Sequence, residues 1–394
     1  MWGGARGNDI QLPRRQASPR LIFIPSLLKY IVEIFSDSQG MGRALELAAN
    51  GLFSTAPNPR VGCVIVKDRR VIGEGFTQPA GQAHAEVQAM NDARKRGADL
   101  RGSTVYVTLE PCSHHGRTPP CADALIQANV SKVVAALEDP NPLVAGKGLA
   151  RLSAAGIEVA SGVMASEARE VNIGFFSRME KGKPWVRMKA AASLDGKTAL
   201  HNGQSQWITS AAARDDGHWW RARACAILTG IGTVKEDDPQ LNVRAIDTFR
   251  QPRRIVVDSE LHISPDARVL SGGGTWIVAA RSNPEKEAQL RDRGAEILML
   301  PNASGKVDLP ALMLELGRRQ INELHVEAGY KLNGSLIREN CVDELLLYFA
   351  PSLLGDAQGL FNLPALSSLG DRRRMLFHET KRVGEDLRIL ARFI

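Results

Sequence analysis

Short apolar runs alternate with helical stretches along almost the whole chain, and that alternation restricts the fold more than any other feature. From Met41, "MGRALELAANGLF" sets Ala44, Leu45, Leu47 and Ala48 at helical spacing. "VGCVIV" and "RVIGEGF" read as strands on either side of a turn at Lys67, Asp68 and Arg69. A helix in "HAEVQAMNDARKRG", closed by Gly97, comes next. Strand "TVYVTL", helix "PCADALIQANV", strand "KVVAAL", helix "GKGLARLSAAG" and strand "IEVASGV" complete the first series. Such alternation predicts an α/β domain with a largely parallel sheet. One helix, "SEAREVNIGFFSRMEKG", ends the unit, and the polar stretch Lys181, Gly182, Lys183, Pro184 marks a boundary.

A second series follows. Its strands are "WVRMKAAA", "AILTGI", "RIVVDS", "TWIVAA", "EILML", "ELHVEAG", "ELLLYFAP" and "DLRILARFI", and its helices are "AARDDGHWWRARAC", "PEKEAQLRDRG", "LPALMLELGRRQ" and "YKLNGSLIREN". With 394 residues, 44% of them apolar, the chain can fill two cores. The domains are expected at residues 41–183 and 184–394. Residues 1–40 read as an extension, disordered or without function. Its apolar run "LIFIPSLLKYIVEIF" follows Arg14, Arg15 and Arg20 but is interrupted by Pro25, Lys29 and Glu33. That run falls short of the roughly 18–20 residues of a membrane span, and no small-residue cleavage site follows it.

The net charge of +7 is dispersed rather than gathered in a basic stripe. This argues against a nucleic-acid partner and suits a small phosphorylated substrate. The five cysteines, Cys63, Cys112, Cys121, Cys225 and Cys341, are too few and too scattered for a secreted disulfide framework. Reduced thiols in the cytoplasm are expected, with no membrane association; a homo-oligomer is left open.

Cys112 and Cys121 bracket "PCSHHGRTPPC". With His84, at the start of a predicted helix, they offer three ligands to zinc and leave a tetrahedral ion one open position. Zinc lowers the pKa of a water held there toward about 7. Glu86, two residues after His84, is placed to carry a proton from that water to a leaving amine. H-x-E followed by P-C and a second Cys is a zinc-deaminase signature, although eight residues here replace the usual two between the cysteines. Two other readings stand beside it. His114 or His115 as a fourth ligand would close the site into a structural one, and the cysteines could form a redox pair. Asn58 is placed to bond a pyrimidine edge, Arg117 to hold a phosphate, and Asp139 and Asn141 to bond substrate. Each of these is also an ordinary loop or turn residue.

Several long motifs resemble one family. "PNPRVGCVIV", "HAEVQAM", "TLEPCSHHGRTPPCADAL" and "EDPNPLVAGKGL" look like the deaminase half of the bifunctional deaminase–reductases of riboflavin biosynthesis. "KAAASLDGKTA", "SQWITS", "LTGIGTVKEDDPQLNVR", "RIVVDS" and "HVEAG" look like the reductase half. The resemblance implies a cytidine-deaminase-like three-layer α/β/α domain followed by a dihydrofolate-reductase-like α/β domain. The first would bind one zinc ion through His84, Cys112 and Cys121, use Glu86 as proton shuttle, and deaminate a diaminohydroxy-phosphoribosylamino-pyrimidine. Asn58, Arg117, Asp139 and Asn141 match its substrate contacts. The second would reduce the ribosyl group to ribityl with NADPH. Ala191, Trp207, Thr209, Thr233, Asp237, Ser259 and the run Gly329, Tyr330, Lys331, Leu332, Asn333, Gly334, Ser335 would meet the cofactor. Ser205, Arg221, Leu241, Arg244 and Glu327 would meet the substrate.

Read for chemistry alone, the second half is less legible. "GIGTVK" reads as a strand-end turn rather than a Rossmann site. "EAGYKLNGSLI" offers a helix start at Gly329 for a phosphate, or a simple strand–helix turn. Arg221 and Arg244 would suit a phosphate clamp. Trp207 is either a stacking surface for cofactor or core. Lys189 is the candidate catalytic cation for opening the ribose ring, with a surface lysine as the alternative. Asp195 reads as a turn residue with Gly196.

Overall fold

Alternate residues of the first strand face opposite layers, and two cores result. The computed structural model describes residues 33–114, 119–142 and 144–394. β1 (Gly62–Lys67), β2 (Arg70–Phe76), β3 (Thr104–Val107), β4 (Lys132–Ala135) and β5 (Glu158–Ser161) form one sheet in the order β2-β1-β3-β4-β5. Cys63 and Ile65 join a core with Ala89, Met90, Leu125 and Leu152 on one face. Val64 and Val66 join Met41, Ala44 and Tyr106 on the other. The period of two in a strand thus builds three layers.

The sheet is mixed, not largely parallel as the alternation predicts. β1 runs antiparallel to β2 and β3, and only β3, β4 and β5 are parallel. The cause is local: Asp68 and Arg69 both adopt positive φ, which turns β2 straight back on β1. Helix Ala85–Lys95 lies close on β2 because two strand positions lack a side chain. A Cβ would meet the Ala89 oxygen at 2.3 Å from Gly73 and the Ala89 nitrogen at 2.5 Å from Gly75.

Two further expectations are corrected. The first helix is Asp37–Ala49, starting before Met41, because the Ser36 hydroxyl accepts the Gln39 N–H as N-cap. Ile34 is buried and Glu33 bridges to Arg70, so residues 33–40 belong to the fold and not to an extension. The rest of that extension, residues 1–32, lies outside the described residues. The helix read over "SEAREVNIGFFSRMEKG" is two helices, Ala165–Val171 and Ile173–Lys181. Asn172 breaks it by bonding the backbone of Arg60, accepting its N–H at 2.7 Å and donating to its carbonyl at 2.8 Å.

The second half holds β6 (Trp185–Ser193), β7 (Lys197–Ala199), β8 (Ala226–Gly230), β9 (Arg253–Val257), β10 (Trp276–Ala279), β11 (Glu296–Met299), β12 (Glu323–Val326), β13 (Glu344–Ala350), β14 (Gln358–Gly359), β15 (Met375–Val383) and β16 (Asp386–Phe393). Nine of them form a sheet in the order β11-β10-β9-β8-β12-β6-β13-β16-β15, and β7 pairs with β14. The run from β11 to β13 is parallel, with β16 and β15 added antiparallel. The apolar strands are as the sequence predicts. The largely exposed β15 and the short β7 and β14 are not legible in it. "GIGTVK" is not a turn but the end of β8 and the start of helix Ile231–Asp237.

The halves meet over buried ions. Glu323 on β12 accepts from Arg60 of the first half at 2.5 Å, and from Arg187 (3.0 Å) and Arg223 (2.8 Å) of its own. Asn322 beside it donates to the Pro57 carbonyl at 3.0 Å and accepts from Arg178 at 2.6 Å.

Candidate active sites

In the first half, two helix starts and one strand end converge. His84 is the N-cap of helix Ala85–Lys95, and Cys121 opens helix Cys121–Gln127. Cys112 follows β3. His84 Nδ1 lies 3.6 Å from Cys112 Sγ and 3.4 Å from Cys121 Sγ. All three donor atoms fall within 4.8 Å of one another. A tetrahedral zinc with ordinary Zn–S and Zn–N lengths separates such donors by about 3.5 Å, so the set fits that ion. Among the described residues, His114 does not join the cluster; it lines the cleft above it. His115 and Arg117 lie outside the described residues.

The cluster floors a cleft of about 470 Å³ whose walls include Asn58, Asp139, Asn141 and Glu86. Glu86 is 4% exposed, and burial pushes its carboxyl up to about 7, with the neighbouring Cys112 adding to the rise. Cys112 is held well below the usual thiol range by the bond from Cys121 and by His84. Asp139 is raised to about 6 by burial, partly offset by the Asn141 N–H donating at 2.8 Å. Chemically, this is a soft cation site with a carboxylate poised for proton transfer beside it.

Sequence reasoning missed three contributors here. The Glu110 carboxylate accepts the N–H groups of Asp139 (3.0 Å), Gly146 (2.9 Å) and Gly148 (2.7 Å), which fixes the loop that carries Asp139 and Asn141. Its signal was a carboxylate inside an apolar strand end, "VTLEPC". Gln320, from the second half, and Arg178 line the same cleft. No local pattern marks them, since tertiary packing alone brings them there.

In the second half Thr233, Ser259, Glu327 and Gly329 follow the carboxyl ends of β8, β9 and β12, where open α/β sheets bind ligands. Register pairs Val326 with Met188, which sets Glu327 and Lys189 side by side just beyond. Arg221 grips both oxygens of Glu327, one bond measuring 2.8 Å, and donates to the Asn242 carbonyl at 3.1 Å. Burial alone would raise Glu327, but Arg221 holds it well below the usual carboxylate range. Burial lowers Lys189, with Glu327 opposing and Arg221 assisting. His325, fully buried, sits 3.3 Å from Glu327. Arg221 therefore faces Glu327, while Arg244 remains exposed and donates to Asn242 at 3.2 Å. Both bond Asn242, Arg221 at its carbonyl and Arg244 at its side-chain oxygen. Leu241 is buried beside them, and Ser205 is half-buried.

Ala191 lies on β6, level with Tyr348. Gly329 caps helix Tyr330–Arg338 with no side-chain bond, leaving the first N–H groups without a capping acceptor. A Cβ on Gly329 would stand 3.6 Å from the Thr233 hydroxyl, so these helix starts face each other. The run from Tyr330 to Ser335 forms the first turns of that helix; Gly334 in it touches the backbone of Asn362. Asp237 accepts from Gln206 at 3.1 Å. Trp207 is 69% exposed, with Arg214 over its ring at 4.4 Å, so it is not core. The Thr209 carbonyl accepts from Arg214, and the Ser259 hydroxyl accepts the Val307 N–H at 3.3 Å. Asp195 does shape a turn, accepting from Ser193 and from the N–H groups of Leu354 and Gly355.

Residues 35–137 match the family model described as the cytidine and deoxycytidylate deaminase zinc-binding region, and residues 184–389 match the RibD C-terminal domain. The protein is thus a cytidine-deaminase-like zinc domain joined to a reductase domain. The riboflavin biosynthesis protein RibD of Escherichia coli (strain K12) is 48% identical over 365 residues, which span 89% of this chain and 98% of that one. That of Haemophilus influenzae is 46% identical over 89% of this chain and 95% of its own. The solved structure of Acinetobacter baumannii RibD, form 1, superposes with a TM-score of 0.84 at 42% identity, covering 91% of this chain and 99% of that one. A deaminase/reductase from Thermotoga maritima gives 0.81 at 33%, with coverages of 91% and 99%. The chain belongs to the RibD family of bifunctional riboflavin biosynthesis enzymes.

Proposed function

We propose that residues 41–183, with the preceding turn of helix, deaminate diaminohydroxyphosphoribosylaminopyrimidine, and that residues 184–394 reduce the resulting 5-amino-6-(5-phosphoribosylamino)uracil to its ribityl form, the deaminase and reductase pair of the Thermotoga relative. The observation that carries this reading is the buried Glu86 beside the His84, Cys112 and Cys121 cluster on the floor of one polar cleft. His84, Cys112 and Cys121 would hold zinc, which when bound supplies Lewis-acid activation of water. Glu86, with a pKa pushed up to about 7, takes a proton on its carboxylate and returns it to the departing amine. Asn58, Asp139 and Asn141 orient the pyrimidine. Arg117 would meet the phosphate.

NADPH, when bound, supplies the hydride for the second reaction. The free N–H groups after Gly329 would receive one of its phosphates, with Thr233 opposite. The remaining residues proposed to line this cofactor site are Ala191, Trp207, Thr209, Asp237 and Ser259. Lys189, half-buried next to Glu327, protonates the oxygen released as the ribose ring opens. Arg221 positions Glu327, and Ser205, Leu241 and Arg244 border the substrate.

All five cysteines are free thiols, which supports a cytoplasmic setting. Among the described residues no helix is long and apolar enough to cross a membrane. The test is NADPH oxidation by the purified protein given the undeaminated diaminopyrimidine ribotide. Oxidation matched mole for mole by ammonia is expected; ammonia without oxidation would sink the reductase assignment, and neither would sink both.

A further inference from the structure

A groove of about 790 Å³ runs along the amino ends of β8, β9, β10 and β12, beside the cleft over the His84 cluster. Pro57 and Gln320 line both it and the cleft over the His84 cluster. Leu241 and Asn242 also line it. The Asn242 carbonyl accepts from Arg221, which holds Glu327 beside Lys189. The groove thus meets the first proposed site directly and approaches the second through Leu241 and the Asn242 carbonyl.

Its lining is basic. Arg250, Arg253, Arg254 and Arg319 face it, and among the described residues no Asp or Glu does. Arg319 is neutralised by Glu296 and Glu315. Among the described residues the other three donate to carbonyls: Arg250 to Ala224 at 2.9 Å and Arg223 at 3.4 Å, Arg253 to Gly274 at 2.6 Å, and Arg254 to Ser271 at 2.7 Å and Gly273 at 2.5 Å. Burial depresses both Arg250 and Arg254, and Arg253 depresses Arg254 further. Arg250 and Arg254 are half-buried and Arg253 is exposed; a half-buried guanidinium with no bonded carboxylate carries a desolvation cost that a bound anion would offset. The turn at 272–274 is three glycines, all at positive φ. A Cβ on Gly274 would stand 2.7 Å from Arg253 Nη1, so the missing side chain is what leaves that guanidinium its place.

An open groove with uncompensated guanidinium forks selects a phosphate monoester on a small polar body. We propose that this groove receives the phosphate of the deaminated intermediate in transit from the first cleft to the second, on Arg253 and Arg254. The proposal rests on the two activities assigned above. Attraction along the groove raises the local concentration of a phosphate dianion and favours its arrival at the second site over escape to bulk water. A phosphate ester from another source, such as a nucleotide effector, would be held by the same chemistry, and the experiment separates the two.

The full chain carrying Arg253→Gln and Arg254→Gln is compared with the unaltered protein in three assays. These are ammonia release, NADPH oxidation with saturating deaminated intermediate supplied directly, and the lag before NADPH oxidation when only the diaminopyrimidine ribotide is given. The first two rates should be unchanged. The lag should lengthen several-fold, with free intermediate accumulating. Added salt should lengthen the lag of the unaltered protein toward that of the variant, because screening acts on the attraction alone. An unchanged lag overturns the proposal. In a separate binding measurement with ribose 5-phosphate as probe, binding by the unaltered protein that is lost in the Gln variant while the lag is unchanged would assign the groove to phosphate from another source and overturn the proposal. The Arg253→Lys, Arg254→Lys variant keeps the charge and controls for a loosened turn. Its lag should stay near that of the unaltered protein, and one as long as the Gln variant's would remove charge from the explanation. Absence of ammonia release or of direct NADPH oxidation in the unaltered protein would instead overturn the function, visibly and before any variant is made.

Discussion

Glu86 is a buried carboxylate in one half and Glu327 a half-buried one in the other, and their surroundings push them in opposite directions. Glu86 has no cationic side chain bonded to it and rises to about 7, where a proton can leave and return near neutrality. Glu327 is gripped by Arg221 and falls well below the usual range, so it stays an anion and serves as a fixed charge beside Lys189. Burial is common to both, and the partner decides whether the group shuttles protons or anchors a site.

Removing the shuttle should have the largest effect. Glu86→Gln is expected to lower ammonia release by a factor of about 10²–10⁴, with zinc content and direct NADPH oxidation unchanged. Loss of zinc, read by metal analysis, would make Glu86 a ligand instead. Arg221→Met tests the anchor: it leaves Glu327 buried without its cation and should cost about 3–5 kcal/mol, read from denaturant midpoints. Adding Glu327→Gln should recover much of that, and no recovery would break the comparison. The pH dependence has a definite sign. The folded pKa of Glu327 lies below its unfolded value near 4.3, so its contribution is complete above that value and is lost as pH falls through the folded one. Glu327→Gln should therefore flatten the acid limb of the stability profile.

Lys189→Ala is expected to slow reduction by about a hundredfold and spare ammonia release. Unchanged reduction would take Lys189 out of the chemistry. The smallest effect falls on the seam between the halves. Asn322→Ala removes the hydrogen bond to the carbonyl of Pro57, next to Asn58, and the one accepted from Arg178, which lines the same cleft. A loss of about 1 kcal/mol should raise the KM for deamination roughly fivefold with zinc and reduction untouched. A fall in kcat without a change in KM would count against a positioning role.

The two sites also differ in how far they could be read before folding. His84, Glu86, Cys112 and Cys121 sit in short contiguous motifs, because two helix starts and a strand end each bring their ligand with them. The reductase residues are single positions at the ends of different strands. Lys189 and Glu327 are far apart in the chain and meet only because β12 pairs with β6 in the register Val326 to Met188. The parallel order inferred for the first sheet failed at Asp68 and Arg69, where two non-glycine residues adopt a backbone form that residue type does not announce.

By itself the sequence determined the alternating elements, the two cores and the metal trio, since hydrophobic period and local ligand spacing are properties of neighbouring residues. Tertiary structure alone decided the strand register that sets Lys189 against Glu327, the placing of Gln320 in a cleft of the other half, and the convergence of Arg60, Arg187 and Arg223 on Glu323. Those are long-range pairings of charged and polar groups, and a charged residue reads the same in a sequence whether it will face water or a buried partner.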